Sequence, residues 1–357
     1  MTLDPVVLLT RMLEVPSVST HESELAHILS ADMERLGLES FVDEVGNAVG
    51  MTGSGPEVVL LGHIDTVPGQ IPVRIENGRL YGRGAVDAKG PFAAFICAAA
   101  RLIQSGANLP FRLVLIGAVE EESASSKGAR YATERYHPVA CIIGEPSGWN
   151  RITLGYKGRL LVDGVWEQPM SHSAGREASA AEQAVAFWND VAAYCAAYNQ
   201  GRERLFDRLL PSLRSICSQS DGLTDRAELT VGVRLPPDVS PETLASIIAA
   251  FAHGGVLHFR DLCPAYQADK NTPLARAFIR GIRAAGGEPG FLLKTGTSDM
   301  NIAGPVWRCP ILAYGPGDSA LDHTPDEHII IEEYLRAIDV LERVLRQFPL
   351  PGSAAAT

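Results

Sequence analysis

The segment Glu57–Pro68, EVVLLGHIDTVP, constrains the fold of this chain more than any other stretch. Its apolar run Val58–Leu61 is continuous rather than alternating, which is typical of a strand buried on both faces of a parallel sheet. His63 and Asp65 follow the run, and side chains two residues apart leave a strand on the same side. A metal-bound histidine whose ring is oriented by a carboxylate has this arrangement. An ordinary polar loop has it too, so the presence of further ligands decides between the two interpretations.

Strands and helices alternate along the chain up to about Arg151. The apolar segments that precede polar loops include Phe111–Val119 and Ala140–Ile143, and the Ala-rich segment Pro91–Leu102 between strands predicts a buried helix. Alternation of this kind is typical of an α/β fold. We therefore predict a layered domain with a central mixed sheet.

The pattern changes between about Arg151 and Ala268. Ile152–Trp166 is predicted as strand, Ala178–Tyr198 as a long helix and Gly201–Ser220 as an Arg-rich irregular connection. The earlier pattern then returns. The sequence predicts a smaller α+β domain at residues 153–265, inserted into a layered domain that is formed by residues 1–152 and 266–357.

Composition excludes several functional classes. The formal net charge of −11 over 357 residues, without a basic stripe, argues against a nucleic-acid partner. No apolar run reaches the roughly 18 residues that a membrane span requires, and Met1–Leu13 lacks the apolar core of a secretory signal. The six cysteines are scattered without a CxxC pair. We expect a cytoplasmic protein with no membrane contact.

Five strand ends or loops of the predicted layered domain carry residues of the metal-ligand type: His63, Asp87, the triplet Glu120-Glu121-Glu122, Glu145 and His323. Two histidines and several carboxylates without cysteine suit zinc, cobalt or manganese. The carboxylates are too many for one zinc ion, whereas two ions roughly 3.5–4 Å apart would use one carboxylate as a bridge and leave a glutamate free as a base. Each residue taken alone has a structural alternative, such as a turn cap for Asp65 or a loop charge for Glu145.

The motifs GHIDTVP, YGRGAVDAKG, the glutamate triplet, GEPS and the late His323 occur in an order and at a spacing similar to those of the dinuclear zinc amidohydrolases. That family includes acetylornithine deacetylase, succinyl-diaminopimelate desuccinylase and the aminoacylases. The resemblance covers nearly the whole chain. It implies an amide hydrolase with two Zn²⁺ ions, for which Co²⁺ or Mn²⁺ could substitute, and a homodimer formed through the inserted lid domain.

The resemblance also implies a role for each residue at the metal centre. His63 and Glu145 bind the first zinc, Glu122 and His323 bind the second, and Asp87 bridges the two and has a cis peptide bond to Ala88. Asp65 orients the ring of His63, and Glu121 is the general base. The family usually has Asp-Glu-Glu where this chain has three glutamates. A slip of one residue would exchange their roles, although the SxxSKGA that follows supports this assignment.

Substrate contacts are implied in the same way. His172, in PMSHSAGREASA, resembles the histidine that stabilises the oxyanion in the site of the partner subunit. Arg234 resembles the arginine that holds a substrate carboxylate, a task suited to a bidentate guanidinium. The loop KTGTSDMN resembles the substrate-binding loop of the family, which implies contacts from Lys294, Gly296, Thr297, Ser298 and Asp299. Surface histidines, lid charges and a solvated loop are the plain alternatives.

Within the family, KTGTSDMN and GVRLPPD are most similar to hydrolases that release lysine or ornithine from an acidic amino-group carrier protein. There, lysine is attached through its α-amino group to the γ-carboxyl of the terminal glutamate of the carrier. We expect Asp299 to meet the free ammonium of lysine. We also expect four arginines of the predicted connection to meet the carrier: Arg202, Arg204, Arg208 and Arg214.

Two alternatives stay open from the sequence. One is a deacetylase or desuccinylase that acts on a free acylated amino acid. The other is a zinc-binding protein without catalysis, against which Glu121 argues because a structural site needs no base. A dinucleotide-binding enzyme is disfavoured, since no GxGxxG follows a predicted strand.

Overall fold

A computed structural model describes residues 3–170 and 177–348 of the chain. His172 lies outside these residues. Within the described ranges, no helix combines the length and the apolar composition that crossing a membrane requires.

The helices mostly follow the predicted segments. Asp4 caps the first helix by accepting hydrogen bonds from the backbone N–H groups of Val6 and Val7, and Pro5 occupies its first position. The helices are α1 (Pro5–Glu14), α2 (Ser23–Arg35), α3 (Lys89–Gln104), α4 (Lys127–Arg135), α5 (Ala180–Tyr198), α6 (Pro241–Ala249), α7 (Pro273–Ala284), α8 (Met300–Trp307) and α9 (Ile331–Arg346).

The strands divide between a large sheet, a four-stranded sheet and a small three-stranded sheet. They are β1 (Glu39–Val42), β2 (Ala48–Gly53), β3 (Glu57–His63), β4 (Arg74–Glu76), β5 (Arg79–Tyr81), β6 (Arg112–Ala118), β7 (Ala140–Gly144), β8 (Arg151–Tyr156), β9 (Gly158–Pro169), β10 (Leu210–Ser220), β11 (Thr224–Leu235), β12 (Val256–Cys263), β13 (Tyr266–Gln267), β14 (Gly290–Lys294), β15 (Ile311–Ala313) and β16 (His328–Ile330).

The strand that carries EVVLLGH lies inside the large sheet, whose order runs β1-β2-β6-β3-β7-β15-β8. β3 pairs in parallel with β6 and β7, and Val58–Leu61 are fully buried. β2 pairs with β6 in the antiparallel sense, so the sheet is mixed, as the alternation predicted. The core around it comes from these strands and from α1, α2, α3, α7 and α9.

The Ala-rich helix α3 packs closely on the ends of the central strands because glycines lie beneath it. A Cβ added to Gly144 would lie 2.8 Å from Cε2 of Phe95, closer than side chains pack. Most residues of α3 are buried, which fits a helix that is apolar on every side. This packing holds the ends of β3 and β7 at one edge of the sheet, where polar residues follow both strands.

The chain forms two compact units. The larger unit contains the described residues up to Gly155, Ala268–Leu293, and the described residues from Ser298 onward. The smaller unit contains Tyr156–Gln267 and Lys294–Thr297. It therefore includes a four-residue segment that lies outside the predicted range 153–265.

The smaller unit has its own antiparallel sheet, in the order β10-β11-β9-β12. Its core includes side chains of α5, α6 and alternate residues of β11, such as Leu229, Val231 and Val233. The prediction of an irregular connection over Gly201–Ser220 is wrong for its second half, since Leu210–Ser220 is strand β10. Ser212–Ser220 are exposed on both faces of the sheet, so the sequence lacks the alternation by which strands are found.

Candidate metal centre and active site

The parallel register brings the predicted ligands to one edge of the large sheet. His63 ends β3 and lies opposite Ala118, the last residue of β6. On the other side of β3, Gly62 lies opposite Gly144, the last residue of β7. The residues that follow β6 and β7 include the glutamate triplet and Glu145. Parallel strands thus deliver these side chains to the same place, at the carboxyl edge where open α/β sheets bind ligands.

The first group of ligand-type side chains consists of His63, Asp87 and Glu145. The ring Nε2 of His63 lies 3.1 Å from Oδ1 of Asp87 and 3.9 Å from Oε1 of Glu145. His63 is 1% exposed, and Glu145 is also buried. The peptide bond between Asp87 and Ala88 is cis, as the resemblance implied.

The second group shares one residue with the first and consists of Asp87, Glu122 and His323. The ring Nε2 of His323 lies 2.8 Å from Oε1 of Glu122 and 3.1 Å from Oδ2 of Asp87. Asp87 therefore turns Oδ1 toward His63 and Oδ2 toward His323. A carboxylate that offers one oxygen to each group has the geometry of a bridge between two cations.

Asp65 contacts both the ring of His63 and the backbone of the glutamate triplet. Its carboxylate accepts hydrogen bonds from the backbone N–H groups of Glu121 and Glu122, at 3.1 and 2.9 Å, and from the hydroxyl of Ser19 at 2.7 Å. Nδ1 of His63 lies 3.1 Å from the backbone oxygen of Asp65 and 3.4 Å from Oδ1 of its side chain. Asp65 is fully buried and holds His63 with Nε2 directed at Asp87.

Glu120 has different partners from its two neighbours. Its carboxylate accepts a hydrogen bond from the hydroxyl of Ser125 at 2.6 Å and lies 3.7 Å from Nζ of Lys127. Its φ of +60° turns the chain between β6 and the next two glutamates. Only Glu122 of the triplet contacts His323.

The electrostatics of the two groups favour positive charge on both histidines. Hydrogen bonds to Asp87 and Glu122 raise the pKa of His323 to about 10. Burial opposes charge on His63, yet its hydrogen bonds to Asp65 and Asp87 raise its pKa well above the usual value. For Asp87 burial works against ionisation, but hydrogen bonds from His323 and His63 lower its pKa.

The donor set fits two divalent cations. Each group offers three ligand atoms that all lie within 4.8 Å of one another. The donors are imidazoles and carboxylates without thiols, which suits zinc, cobalt or manganese. The same surroundings that favour positive charge on the imidazoles would favour cations between them and the carboxylates.

Glu121 lies beside this centre without belonging to either group. Burial raises the pKa of its carboxyl well above the usual value; the charge of His63 opposes this, whereas Glu145, Asp299 and Glu122 reinforce it. A carboxyl with a raised pKa next to a metal centre is suited to taking up and returning a proton near neutral pH.

The sequence interpretation missed Glu327, which lies four residues after His323. Glu327 is fully buried. Its Oε1 accepts hydrogen bonds from the backbone N–H groups of Val86 and Asp87 at 3.0 and 3.1 Å, and its Oε2 pairs with Nη1 of Arg83 at 2.7 Å. Glu327 thus fixes the backbone that presents Asp87. The only sequence signal was the position of this glutamate in HTPDE, close to a predicted ligand.

Glu327→Gln is expected to weaken binding of divalent metal by about 10- to 100-fold, the usual cost of losing a residue that supports a ligand. The amide keeps an acceptor for the N–H groups but removes the charge that pairs with Arg83. The measurement is a calorimetric titration of metal-free protein with Zn²⁺. Glu332→Gln, on the exposed surface of α9, is the matched control. Equal Zn²⁺ affinity in the two variants would remove Glu327 from this role.

The predicted substrate residues are divided between the two units. Arg234 lies in the smaller unit, and its Nη1 donates a hydrogen bond to the hydroxyl of Thr297 at 3.2 Å. Lys294 and Gly296 belong to the same unit, whereas Ser298 and Asp299 belong to the larger one. Asp299 is 2% exposed, and neither of its carboxylate oxygens has a hydrogen-bond partner among the described residues. Burial raises the pKa of Asp299 to about 7.

Comparison with known proteins places this chain in a family. The profile of Peptidase family M20/M25/M40 matches residues 59–347, most of the chain. The chain belongs to this peptidase family. The predictions of the family, of the mixed α/β fold and of a hydrolase are thereby confirmed.

Two relatives and two solved structures illustrate the family. The chain is 47% identical to the LysW-lysine hydrolase of Deinococcus radiodurans over 95% of both chains. It is 29% identical to the LysW-lysine/LysW-ornithine hydrolase of Saccharolobus islandicus over 80% of this chain and 81% of the relative. The structure of the M20 metallo-carboxypeptidase Sso-CP2 from Sulfolobus solfataricus superposes with a TM-score of 0.78 and 19% sequence identity, over 96% of this chain and 99% of that protein. The structure of aminopeptidase PepT from Bacillus cereus superposes with a TM-score of 0.77 and 17% sequence identity, over 96% of this chain and 97% of that protein. These two structures show the M20 fold alone.

Proposed function

We propose that this member of the M20 family hydrolyses the amide that joins lysine, or ornithine, to the γ-carboxyl of the terminal glutamate of a LysW-type carrier protein. The reaction would serve lysine or arginine biosynthesis in the cytoplasm. The similarity to the Deinococcus radiodurans LysW-lysine hydrolase, at 47% identity over nearly the whole of both chains, carries this proposal. The arrangement of side chains around Asp87 supports amide hydrolysis.

The cofactor in this proposal is a pair of Zn²⁺ ions. His63 and Glu145 would hold one, Glu122 and His323 the other, and Asp87 would contact both. When bound, such a pair supplies Lewis acidity for a carbonyl oxygen and lowers the pKa of water. Asp65 keeps the ring of His63 in place for this task.

Glu121 acts as the proton carrier in the proposed reaction. Its carboxylate takes a proton from the attacking water and gives it to the leaving amine, so the same group serves as base and then as acid. Because burial and neighbouring carboxylates raise the pKa of Glu121, the proton can be held between these two steps. The carboxylate of Glu120 contacts Ser125 and Lys127 and takes no part in the proposed proton transfer.

The remaining site residues are assigned to the substrate. His172, supplied by the partner subunit of a homodimer, would donate to the oxyanion, and Arg234 would bind a substrate carboxylate. The loop residues Lys294, Gly296, Thr297 and Ser298 would line the substrate, and Asp299 would receive the free ammonium of lysine. The hydrogen bond between Arg234 and Thr297 supports a shared role for these two residues.

The homodimer in this proposal would form along β10. This strand is the last of its sheet, and no described strand pairs with its outer side. Leu213 is 37% and Ile216 is 48% exposed along it. An exposed edge strand with apolar side chains is suited to pairing with its copy across a two-fold axis.

Ile216→Lys is expected to convert the dimer to a monomer, because paired β10 strands would bring two buried ammonium groups together. Light scattering after size-exclusion chromatography measures the mass. Val256→Lys is the matched control, since Val256 is exposed on β12 at the opposite edge of the same sheet. A monomer from the control and a dimer from Ile216→Lys would place the interface on the other edge.

The proposed activity is tested by incubating Zn²⁺-loaded enzyme with the carrier bearing lysine or ornithine. Intact-mass spectrometry of the carrier is expected to show the loss of one residue, with the free amino acid appearing in equal amount. A carrier whose mass does not change for either amino acid would contradict the proposal.

A further inference from the structure

Four successive backbone N–H groups in the turn that follows β6 donate hydrogen bonds to side-chain oxygens. The N–H group of Val119 donates to Oδ1 of Asn47 at 3.1 Å, and that of Glu120 donates to Oε1 of Glu22 at 3.0 Å. The N–H groups of the other two glutamates of the triplet donate to Asp65. Side chains from three separate segments of the larger unit therefore fix the backbone of this turn.

The turn contains a residue in a sparsely populated backbone conformation. Glu120 has a φ of +60°, in the left-handed region that residues with a side chain rarely adopt. Such a conformation persists only where the surrounding structure holds it, and it is common at active sites. The N–H group of this residue is the one that Glu22 binds. Loss of the acceptor on Glu22 would therefore release the turn at its strained residue.

Glu22 reaches the turn from the start of α2. It is buried and precedes the first residue of the helix, yet its side chain does not cap the helix. Its Oε1 accepts a hydrogen bond from the N–H group of Thr20 at 2.9 Å in addition to the one from Glu120. Thr20 is also left-handed, with a φ of +74°. One carboxylate oxygen thus joins two left-handed residues that lie far apart in the sequence.

The segment that carries Glu22 also binds the loop that follows β3. The hydroxyl of Ser17 donates to the backbone oxygen of Ile64 at 2.6 Å, and the hydroxyl of Ser19 donates to Oδ2 of Asp65 at 2.7 Å. The segment 17–22 therefore contacts both the loop that orients the ring of the first metal-site histidine and the turn of the glutamate triplet.

Glu121 depends on this turn more than its two neighbours do. The carboxylate of Glu122 contacts His323, and that of Glu120 contacts Ser125. Within the described part of the chain, the carboxylate of Glu121 forms no hydrogen bond or ion pair, and it belongs to neither metal group. Its direction is therefore set by the backbone that carries it.

We propose that Glu22 is a positioning residue for the general base, because its carboxylate holds the turn at Glu120 in the conformation that directs Glu121 toward the metal centre. Neither metal group includes Glu22, so it acts through the backbone alone. A misplacement of about 1 Å at a reacting group can cost about 100-fold in rate. The inference rests on the proposed function, in which Glu121 carries the proton, and adds a residue outside the metal centre on which turnover depends.

Glu22→Met is expected to lower kcat by about 10- to 100-fold without changing KM or Zn²⁺ content. Methionine has nearly the length of glutamate and suits a buried position, but it offers no oxygen to the two N–H groups. Zn²⁺ should still bind because Asp65 keeps its hydrogen bonds to the backbone of Glu121 and Glu122. Steady-state kinetics and elemental analysis of the dialysed protein measure these properties. Glu22→Ala removes the same oxygens without added bulk and replaces Glu22→Met if methionine prevents folding.

Two control variants distinguish positioning from a general loss of structure. Glu22→Gln keeps an acceptor oxygen at the same place, so its kcat should lie within a few-fold of that of the unmodified enzyme. Glu24→Met makes the same change at an exposed position of α2 and should have no effect. Equal kcat in Glu22→Met and Glu24→Met, or an equal loss in Glu22→Met and Glu22→Gln, would overturn the inference. A loss of Zn²⁺ in proportion to the loss of kcat would also overturn it, since Glu22 would then support the metal ions.

A double-variant cycle tests whether Glu22 acts through Glu121. In an enzyme that already carries Glu121→Gln, the base is absent and its position no longer matters. Adding Glu22→Met to that enzyme should therefore lower the residual kcat by less than about twofold, since residues that act as a unit are not additive. A further loss of about 10-fold or more would show that Glu22 acts independently of Glu121 and contradict the proposed role.

Amide hydrogen exchange separates this inference from the proposed function, because it needs no substrate. It is resolved to single residues by mass spectrometry with electron-transfer fragmentation. Glu22→Met is expected to speed exchange at Glu120 by about tenfold or more, the usual effect of losing a hydrogen bond to a charged group. Exchange at Val119, whose N–H group is bound by Asn47, should not change and serves as the internal control.

The exchange result is informative whichever substrate the enzyme prefers. Faster exchange at Glu120 supports the role of Glu22 in the turn even if carrier-linked lysine is not hydrolysed, and kcat is then compared with acetylornithine as the substrate. Unchanged exchange at Glu120 would refute the inference and leave the proposed function intact.

Discussion

Glu121→Gln is expected to lower kcat by about 100- to 10,000-fold, the usual contribution of a general acid–base group. The amide has nearly the same shape but cannot take a proton from water or return one to the leaving amine. Neither metal group includes Glu121, so the variant should bind as much Zn²⁺ as the unmodified enzyme. Steady-state kinetics with carrier-linked lysine and elemental analysis of the dialysed protein measure the two properties.

The adjacent Glu120→Gln provides a matched control for this prediction. It makes the same chemical change one residue earlier, at a carboxylate that contacts Ser125 and Lys127. We expect kcat within a few-fold of the unmodified enzyme. If Glu120→Gln were the inactive variant and Glu121→Gln retained turnover, the roles in the glutamate triplet would be shifted by one residue.

Asp87→Asn is expected to weaken the binding of both metal ions by more than about 100-fold, beyond the usual loss on removing a residue that only supports a ligand. Asp87 is the one residue shared by the two groups, and its two oxygens face different histidines. An amide offers one oxygen and a nitrogen that cannot bind a cation. Titration of metal-free protein with Zn²⁺, with metal content as the readout, measures the effect without reference to turnover.

Variants that change a ligand of only one metal-binding group provide the control for Asp87→Asn. Glu145→Gln and Glu122→Gln each change one ligand of one group, so each should leave the other group able to bind. Asp87→Asn should lose both. Loss of only one equivalent of Zn²⁺ in Asp87→Asn would contradict the bridging role.

The strands that end at the candidate site could be predicted from the sequence because they pair in parallel and are buried on both faces. A continuous apolar run such as Val58–Leu61 is informative, and a ligand-type residue after it marks the carboxyl edge of the sheet. The resemblance then related His63 to distant residues such as Glu122 and His323. Spacing along the chain could not do so, because the contact between Glu122 and His323 joins residues 201 positions apart.

What escaped prediction depends on contacts without a local pattern. β10 is an exposed edge strand, so its residues do not alternate between core and solvent. Glu327 is recognisable only from the backbone N–H groups of Val86 and Asp87 that it binds. The Arg-rich segment was predicted to contact a partner, but acidic residues such as Asp207 and Asp238 neutralise part of it. Charge counted along a sequence does not show which ion pairs form in the fold.

The central claim is that the enzyme acts on carrier-linked lysine rather than on a free acylated amino acid. The direct measurement is kcat/KM of one Zn²⁺-reconstituted preparation for carrier-linked lysine and for acetylornithine, side by side. We expect carrier-linked lysine to be hydrolysed with the higher kcat/KM, by about 100-fold or more, since only that substrate offers the binding energy of a protein surface. Faster hydrolysis of acetylornithine, with no lysine released from the carrier, would contradict the account and identify a deacetylase.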